Sequence, residues 1–144
     1  MSETPAQIIP NLFVDSVETE RNFYIDKLGF EHMMGMVGKD GKLEFCIVMR
    51  NGAMIMLGRP PVPMDGTGEK GGPRPVWIYV QVPDVDKYHA EVQKNGVPVI
   101  DALTTQWWGD RNFSVDDPYG YRIWFYQTVK SFDQIEPPAG VTLV

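Results

Sequence analysis

Five large aromatic residues, Trp77, Tyr79, Trp108, Trp124 and Tyr126, carry the most usable chemistry in this chain. Gathered on one sheet face, they would stack a planar or cationic compound, each ring contributing about 0.5–2 kcal/mol. Phe45, Ile47, Met49, Met54 and Met56 would extend that surface with adaptable apolar side chains, since a thioether fits irregular ligands as readily as irregular cores. Asn112 and Ser114 offer hydrogen bonds to orient what binds. The same rings can also fill a barrel interior or an interface between two copies. Asp116 reads better as a cross-strand partner of Arg122 than as a ligand contact.

Residues for making and breaking bonds are scarce. No Ser-His-Asp set, phosphate-cradling glycine loop or zinc spacing is present. His89 sits beside Tyr88 at the half-exposed edge of an expected helix, and His32 falls on a strand with no expected partner. The single cysteine, Cys46, alternates with Val48 and reads as a small core residue, not a nucleophile. One thiol excludes an intramolecular disulfide and fits a reducing cytoplasm. Asp110 and Arg111 read as closing the turn after Trp108-Gly109. A net charge of −6 argues against a nucleic-acid partner and makes a neutral or cationic ligand easier to hold. No apolar run approaches the ~18–20 residues a membrane helix needs. The opening MSETPAQ lacks a secretory pattern, so a cytoplasmic location without membrane partner is expected.

The elements that must position these residues show a self-match at an offset of 68: Leu12 on Val80, Val14 on Val82, Val17 on Val85, Gly52 on Gly120, Ile55 on Ile123. One offset surviving from residue 12 to 125 predicts two copies of one unit. Residues 7–14 read as a strand; Ser16 caps a helix running to about Leu28, with Gly29 as its stop. In the second copy 76–82 is the strand, Asp84 the cap and Asn95-Gly96 the stop. Val85, Tyr88 and Val92 form one buried helical stripe. Three strands follow each helix, giving βαβββ twice.

Hairpin chemistry then predicts faces. A two-residue Asn51-Gly52 turn sets Met49 against Met54, Ile47 against Met56 and Phe45 against Gly58, with Cys46, Val48, Ile55 and Leu57 on the other side. A three-residue loop ending at Gly120 sets Val115 against Ile123 and Phe113 against Phe125. Asn112, Ser114 and Asp116 then face Tyr126, Trp124 and Arg122. Residues 59–75, rich in Pro and Gly, read as an exposed linker, and 128–144 as a tail.

The stretches IIPNLFVDSVETERNFYIDKLGF and WWGDRNFSVDDPYGYRIWF make the chain resemble the vicinal oxygen chelate superfamily, which includes glyoxalase I, extradiol dioxygenases and bleomycin-resistance proteins. The resemblance spans about residues 7–127. It implies an α+β protein in which two βαβββ modules form an open, cup-shaped mixed sheet, often completed by dimerisation. Metal-using relatives take ligands from the first and last strand of each module. The matching positions here are Ile9, Met56, Trp77 and Trp124, none with an imidazole or carboxylate. With Pro10, WGDRNFSVDDPYG and the negative charge, the likeness is strongest to the metal-free bleomycin-resistance branch, acidic homodimers that confer antibiotic resistance by sequestering a cationic drug in aromatic clefts.

The expectation is therefore one domain over 1–144, with module one at 7–58 and module two at 76–127. It would bind a small amphipathic aromatic compound, neutral or cationic, as a homodimer, with no cofactor, metal or catalytic residue. The ligand-binding set would be Phe45, Ile47, Met49, Met54, Met56, Trp77, Tyr79, Trp108, Asn112, Ser114, Trp124 and Tyr126. The alternative is a lyase, isomerase or dioxygenase of the same superfamily holding a metal at non-standard residues such as Glu44, His32 or Asp116.

Overall fold

The computed structural model describes residues 6–60 and 76–144, so most of the expected linker lies outside the described residues. The chain divides into two compact units, Met1–Gly72 and Pro73–Val144. Each carries its own open, four-stranded mixed sheet and is of the α+β class.

In the first unit the order is β1 (Asn11–Phe13), α1 (Val17–Asn22), β2 (Glu31–Val37), β3 (Leu43–Arg50) and β4 (Ala53–Gly58). The sheet order is β1-β4-β3-β2, with β1 parallel to β4 and the other pairs antiparallel. Helix α1 begins where expected because extended Ser16 accepts a hydrogen bond from the Thr19 amide at 3.2 Å, with Glu18 and Glu20 in its positive first turn. It continues as a π-helical turn over Phe23–Lys27 and ends at Gly29, whose φ of +76° suits glycine. Val17, Tyr24 and Leu28 are buried, as are Leu12, Cys46, Val48, Ile55 and Leu57. The Glu18 carboxylate also accepts the Leu43 amide at 2.6 Å, tying the helix to β3. Asn51 and Gly52, both at positive φ, set the register expected for Phe45, Ile47 and Met49. The first strand is shorter than the expected 7–14. Pro10 has no N–H to donate, so its carbonyl accepts from Met56 at 2.8 Å and the ladder starts only at Asn11.

The second unit repeats the order with β5 (Trp77–Gln81), α2 (Val85–Lys94), β6 (Asp101–Thr105), β7 (Asp110–Asp116) and β8 (Arg122–Thr128), in sheet order β5-β8-β7-β6. Asp84 caps α2 by accepting from the Lys87 amide at 3.1 Å, and Gly96 (φ +81°) stops it. Val85, Tyr88 and Val92 are buried, with Tyr88 4.7 Å from Phe125 between ring centroids. Phe113 opposes Phe125, Val115 opposes Ile123 and Asp116 opposes Arg122, the expected register. The loop works because the Asp117 carboxylate accepts the Tyr119 and Tyr121 amides, both at 2.9 Å.

The repeat is less regular than one offset. Asn11 pairs with Met56 as Tyr79 pairs with Trp124, which keeps 68. Yet Ile47 opposes Met56 while Ser114 opposes Trp124, so the third strand of the repeat runs at 67. Beyond β8 the tail turns back: the Val129 and Lys130 amides both donate to the Gly109 carbonyl, at 2.8 and 3.0 Å. A single 3-10 turn follows over Phe132–Gln134. No helix among the described residues is long and apolar enough to cross a membrane.

Candidate functional site

Alternation along β5 and β8 sorts the rings of the second unit. Ile78, Val80, Ile123 and Phe125 turn to the helix and are buried; Trp77, Tyr79, Trp124 and Tyr126 turn to the open face. There they form a continuous ladder. Trp77 lies 5.5 Å from Trp124 between centroids, Tyr79 stacks nearly parallel on Trp124 at 5.8 Å, and Tyr79 meets Tyr126 edge-on at 6.2 Å. Trp124 is 8% exposed, whereas Trp77 and Tyr79 remain 55% and 49% exposed.

Against this ladder opens a cavity of about 470 Å³, lined by Tyr79, Trp108, Asp110, Tyr126, Thr128, Lys130, Ser131 and Phe132. Three of these, Tyr79, Trp108 and Tyr126, belong to the expected set. Partial burial pushes the Tyr79 phenol above its ordinary value, helped by Asp110 and Asp101. Asp110 does not simply close a turn: it opens β7, accepts the Thr128 hydroxyl at 2.8 Å and faces the cavity. Arg111 reaches across to Asp86 at 2.9 Å. Half of the lining comes from the end of β8 and the tail, which carry no strand or helix periodicity. Their one readable signal is Ser131-x-x-Gln134, and the structure realises it as a reciprocal capping box.

Beneath the rings the polar residues serve the sheet. Ser114 is fully buried; its hydroxyl donates to the Asp101 carboxylate and accepts the Asp101 amide at 3.1 Å. Strand β6 therefore occupies the hydroxyl of Ser114. Arg122 pairs with Asp116 at 2.9 Å and approaches Asp101 at 3.7 Å, so Asp116 is the cross-strand partner expected. Its hydrogen bond with Asp116 raises the Arg122 guanidinium further. Asn112, also fully buried, accepts from Gln106 at 3.0 Å. Among the described residues, the buried Nδ2 of Asn112 and Nε1 of Trp124 have no hydrogen-bond partner.

In the first unit Phe45, Ile47, Met49, Met54 and Met56 are half-buried and share the open face of their sheet. A cavity of about 570 Å³ lies there, lined by Asn11, Phe13, Met36, Glu44, Phe45, Gly58, Arg59 and Pro60. Of the expected residues only Phe45 lines it. The histidines stay apart from both cavities: His32 is exposed on β2, and His89 packs edge-on against Phe113 at 4.9 Å. Cys46 is fully buried, and burial pushes its thiol up to about 11.

The four positions matching the metal ligands of relatives do not suit a divalent ion. Ile9 is half-buried ahead of β1, Met56 offers a soft thioether in β4, and Trp77 and Trp124 offer rings. Among the described residues no three His, Cys, Asp or Glu side chains gather as a metal set, Glu44, His32 and Asp116 included.

The family model described as Glyoxalase/Bleomycin resistance protein/Dioxygenase superfamily matches residues 6–125. An uncharacterised protein of Mycobacterium bovis is 31% identical over 137 residues, covering 92% of this chain and 90% of its own. A bleomycin resistance protein of Geobacillus stearothermophilus is 28% identical over 138 residues, covering 87% and 98%. Among solved structures, TnmS3, an antibiotic binding protein from Streptomyces, superposes with a TM-score of 0.64 at 24% identity, covering 89% and 98%.

Proposed function

The chain belongs to the glyoxalase/bleomycin resistance protein/dioxygenase superfamily, and from that premise we propose that it binds and sequesters a small amphipathic aromatic compound without metal or bond chemistry. The carrying observation is the ladder Trp77–Trp124–Tyr79–Tyr126 beside a cavity large enough for a drug-like molecule. A flat ring laid on Tyr79, with Tyr126 meeting it edge-on, gains about 0.5–1.5 kcal/mol per ring pair beyond its area burial.

Charge tunes this preference at two ranges. Asp110 and Lys130 place one charge of each sign at the cavity rim, while the net charge of −6 draws cations over longer distances. The bleomycin resistance relative supports a drug as the ligand, and the Streptomyces protein supplies a further use of the fold for antibiotics. The expected open-face residues of the first unit, Phe45, Ile47, Met49, Met54 and Met56, remain in the proposed binding set, as does a homodimeric cytoplasmic protein.

The test is calorimetric titration with bleomycin and with ethidium, a flat aromatic cation, in buffer with and without EDTA. Micromolar binding that EDTA leaves unchanged is expected. No binding tighter than millimolar to either compound refutes the reading, and affinity abolished by the chelator refutes its metal-free part.

A further inference from the structure

One ring of the second unit's cavity is held in place by a device the fold itself does not need. Phe132 is 80% exposed and enters no ring pair among the described residues, yet it lines the same cavity as Tyr79, Trp108 and Tyr126. A single exposed phenyl is ordinary. What sets this one apart is its mounting. Directly before it, Ser131 joins a reciprocal capping box with Gln134, whose side chain accepts the Ser131 amide at 2.9 Å. Before that, Val129 and Lys130 both bond the Gly109 carbonyl. Gly109 has φ +99°, and a Cβ there would overlap the Lys130 carbonyl oxygen. Gly109 also directly follows Trp108, so one anchor fixes an aromatic wall and the segment carrying Phe132.

We infer that Phe132 is a ligand-contacting residue that closes over a flat aromatic ring whose other face lies on Tyr79 and whose edge meets Tyr126, with the tail clasp at Gly109 as its positioning device. This rests on the binding reading above and narrows its ligand class, because a site walled by rings on both sides selects planar aromatic compounds over aliphatic ones of equal volume. Lys130 and Ser131, on the same short segment, also line the cavity, where polar substituents of such a ring would meet them.

The experiment titrates ethidium, by its fluorescence, into the full chain as wild type, Phe132→Ala and Phe132→Tyr, with a thermal melt of each. Removing one stacked ring is expected to weaken binding about tenfold in Phe132→Ala, while Phe132→Tyr stays within about twofold. Melting should be unchanged in both, because the side chain is exposed. If wild type binds and Phe132→Ala binds equally well, the inference falls while the binding reading stands. The same holds if Phe132→Tyr loses as much as Phe132→Ala, since a ring would then not be what matters. If wild type binds neither ethidium nor bleomycin, the reading falls and takes this inference with it.

Discussion

Gly109→Ala tests whether the tail is seated as described. An alanine at φ +99° would place its Cβ over the Lys130 carbonyl oxygen, 3.1 Å from the carbonyl carbon and 3.2 Å from Ile135 Cγ2. The obstruction is mainly backbone, so no rotamer change relieves it. Two responses are open. Either the tail stays and the residue is strained by about 1–3 kcal/mol, or the tail leaves and two N–H···O bonds to Gly109 are lost at about 1 kcal/mol each. Both routes give roughly 2 kcal/mol, which lowers the melting temperature by about 4–8 °C in a chain of this size. Gly96→Ala is the control: φ is +81°, but nothing lies within 4 Å of the added Cβ, so only the left-handed backbone strain of about 1–2 kcal/mol remains. Scanning calorimetry ranks the variants, and hydrogen exchange at the Val129 and Lys130 amides reports the tail directly. Gly109→Ala melting at or above Gly96→Ala, with those two amides unprotected in wild type, would refute the clasp.

Cys46 should resist Ellman's reagent in the native protein at pH 8 and react only as the chain unfolds, because it is fully buried with its thiol pushed up to about 11; prompt stoichiometric labelling would contradict its place in the core. The Asp86 carboxyl is held below its ordinary value chiefly by its hydrogen bond to Arg111. A depressed acid contributes stability above its unfolded value of about 3.9, and that contribution fades as pH falls through the folded value. Urea unfolding from pH 2 to 7 should therefore show a shallower acid limb in Asp86→Asn, with the difference shrinking in 1 M salt; identical limbs would remove the pair from the account. Ser114→Ala should lower stability by about 0.5–1.5 kcal/mol, the net worth of a hydrogen bond whose Asp101 partner stays part-exposed, while ethidium affinity stays within about twofold. A loss of affinity without a loss of stability would return Ser114 to the ligand.

Features settled by local chemistry were legible in the sequence. Ser16 and Asp84 act as helix caps through their own side chains, and Asn51-Gly52 and Gly120 set hairpin registers through their own backbone angles. From those registers the two open faces followed by alternation. Less legible were features decided by residues far apart. The first strand is cut short by the missing donor at Pro10, visible only once β4 is known to be its partner. The slip from 68 to 67 in β7 is hidden because Gly52 and Gly120 still align across hairpin loops of different length. The cavity's tail wall was hidden for the same reason. Gly109 and Lys130 are 21 positions apart and meet through backbone atoms, which leave no trace in hydropathy. Asp110 was read as a turn residue because nothing local shows that Thr128 will stand beside it.

The two faces of the second sheet argue what the open one is for. On the helix side Phe113 and Phe125 are wholly buried, and each finds a ring partner. On the open side Trp77 and Tyr79 stay half exposed although they stack on Trp124. Beneath those rings an indole N–H and an amide N–H are withheld from water, each costing about 1–3 kcal/mol while unpaired. Phenylalanine and leucine would fill the same volume without that penalty. What distinguishes the open face is the ring surface it leaves exposed on Trp77 and Tyr79, and the proposed binding of a flat aromatic compound is what would cover it.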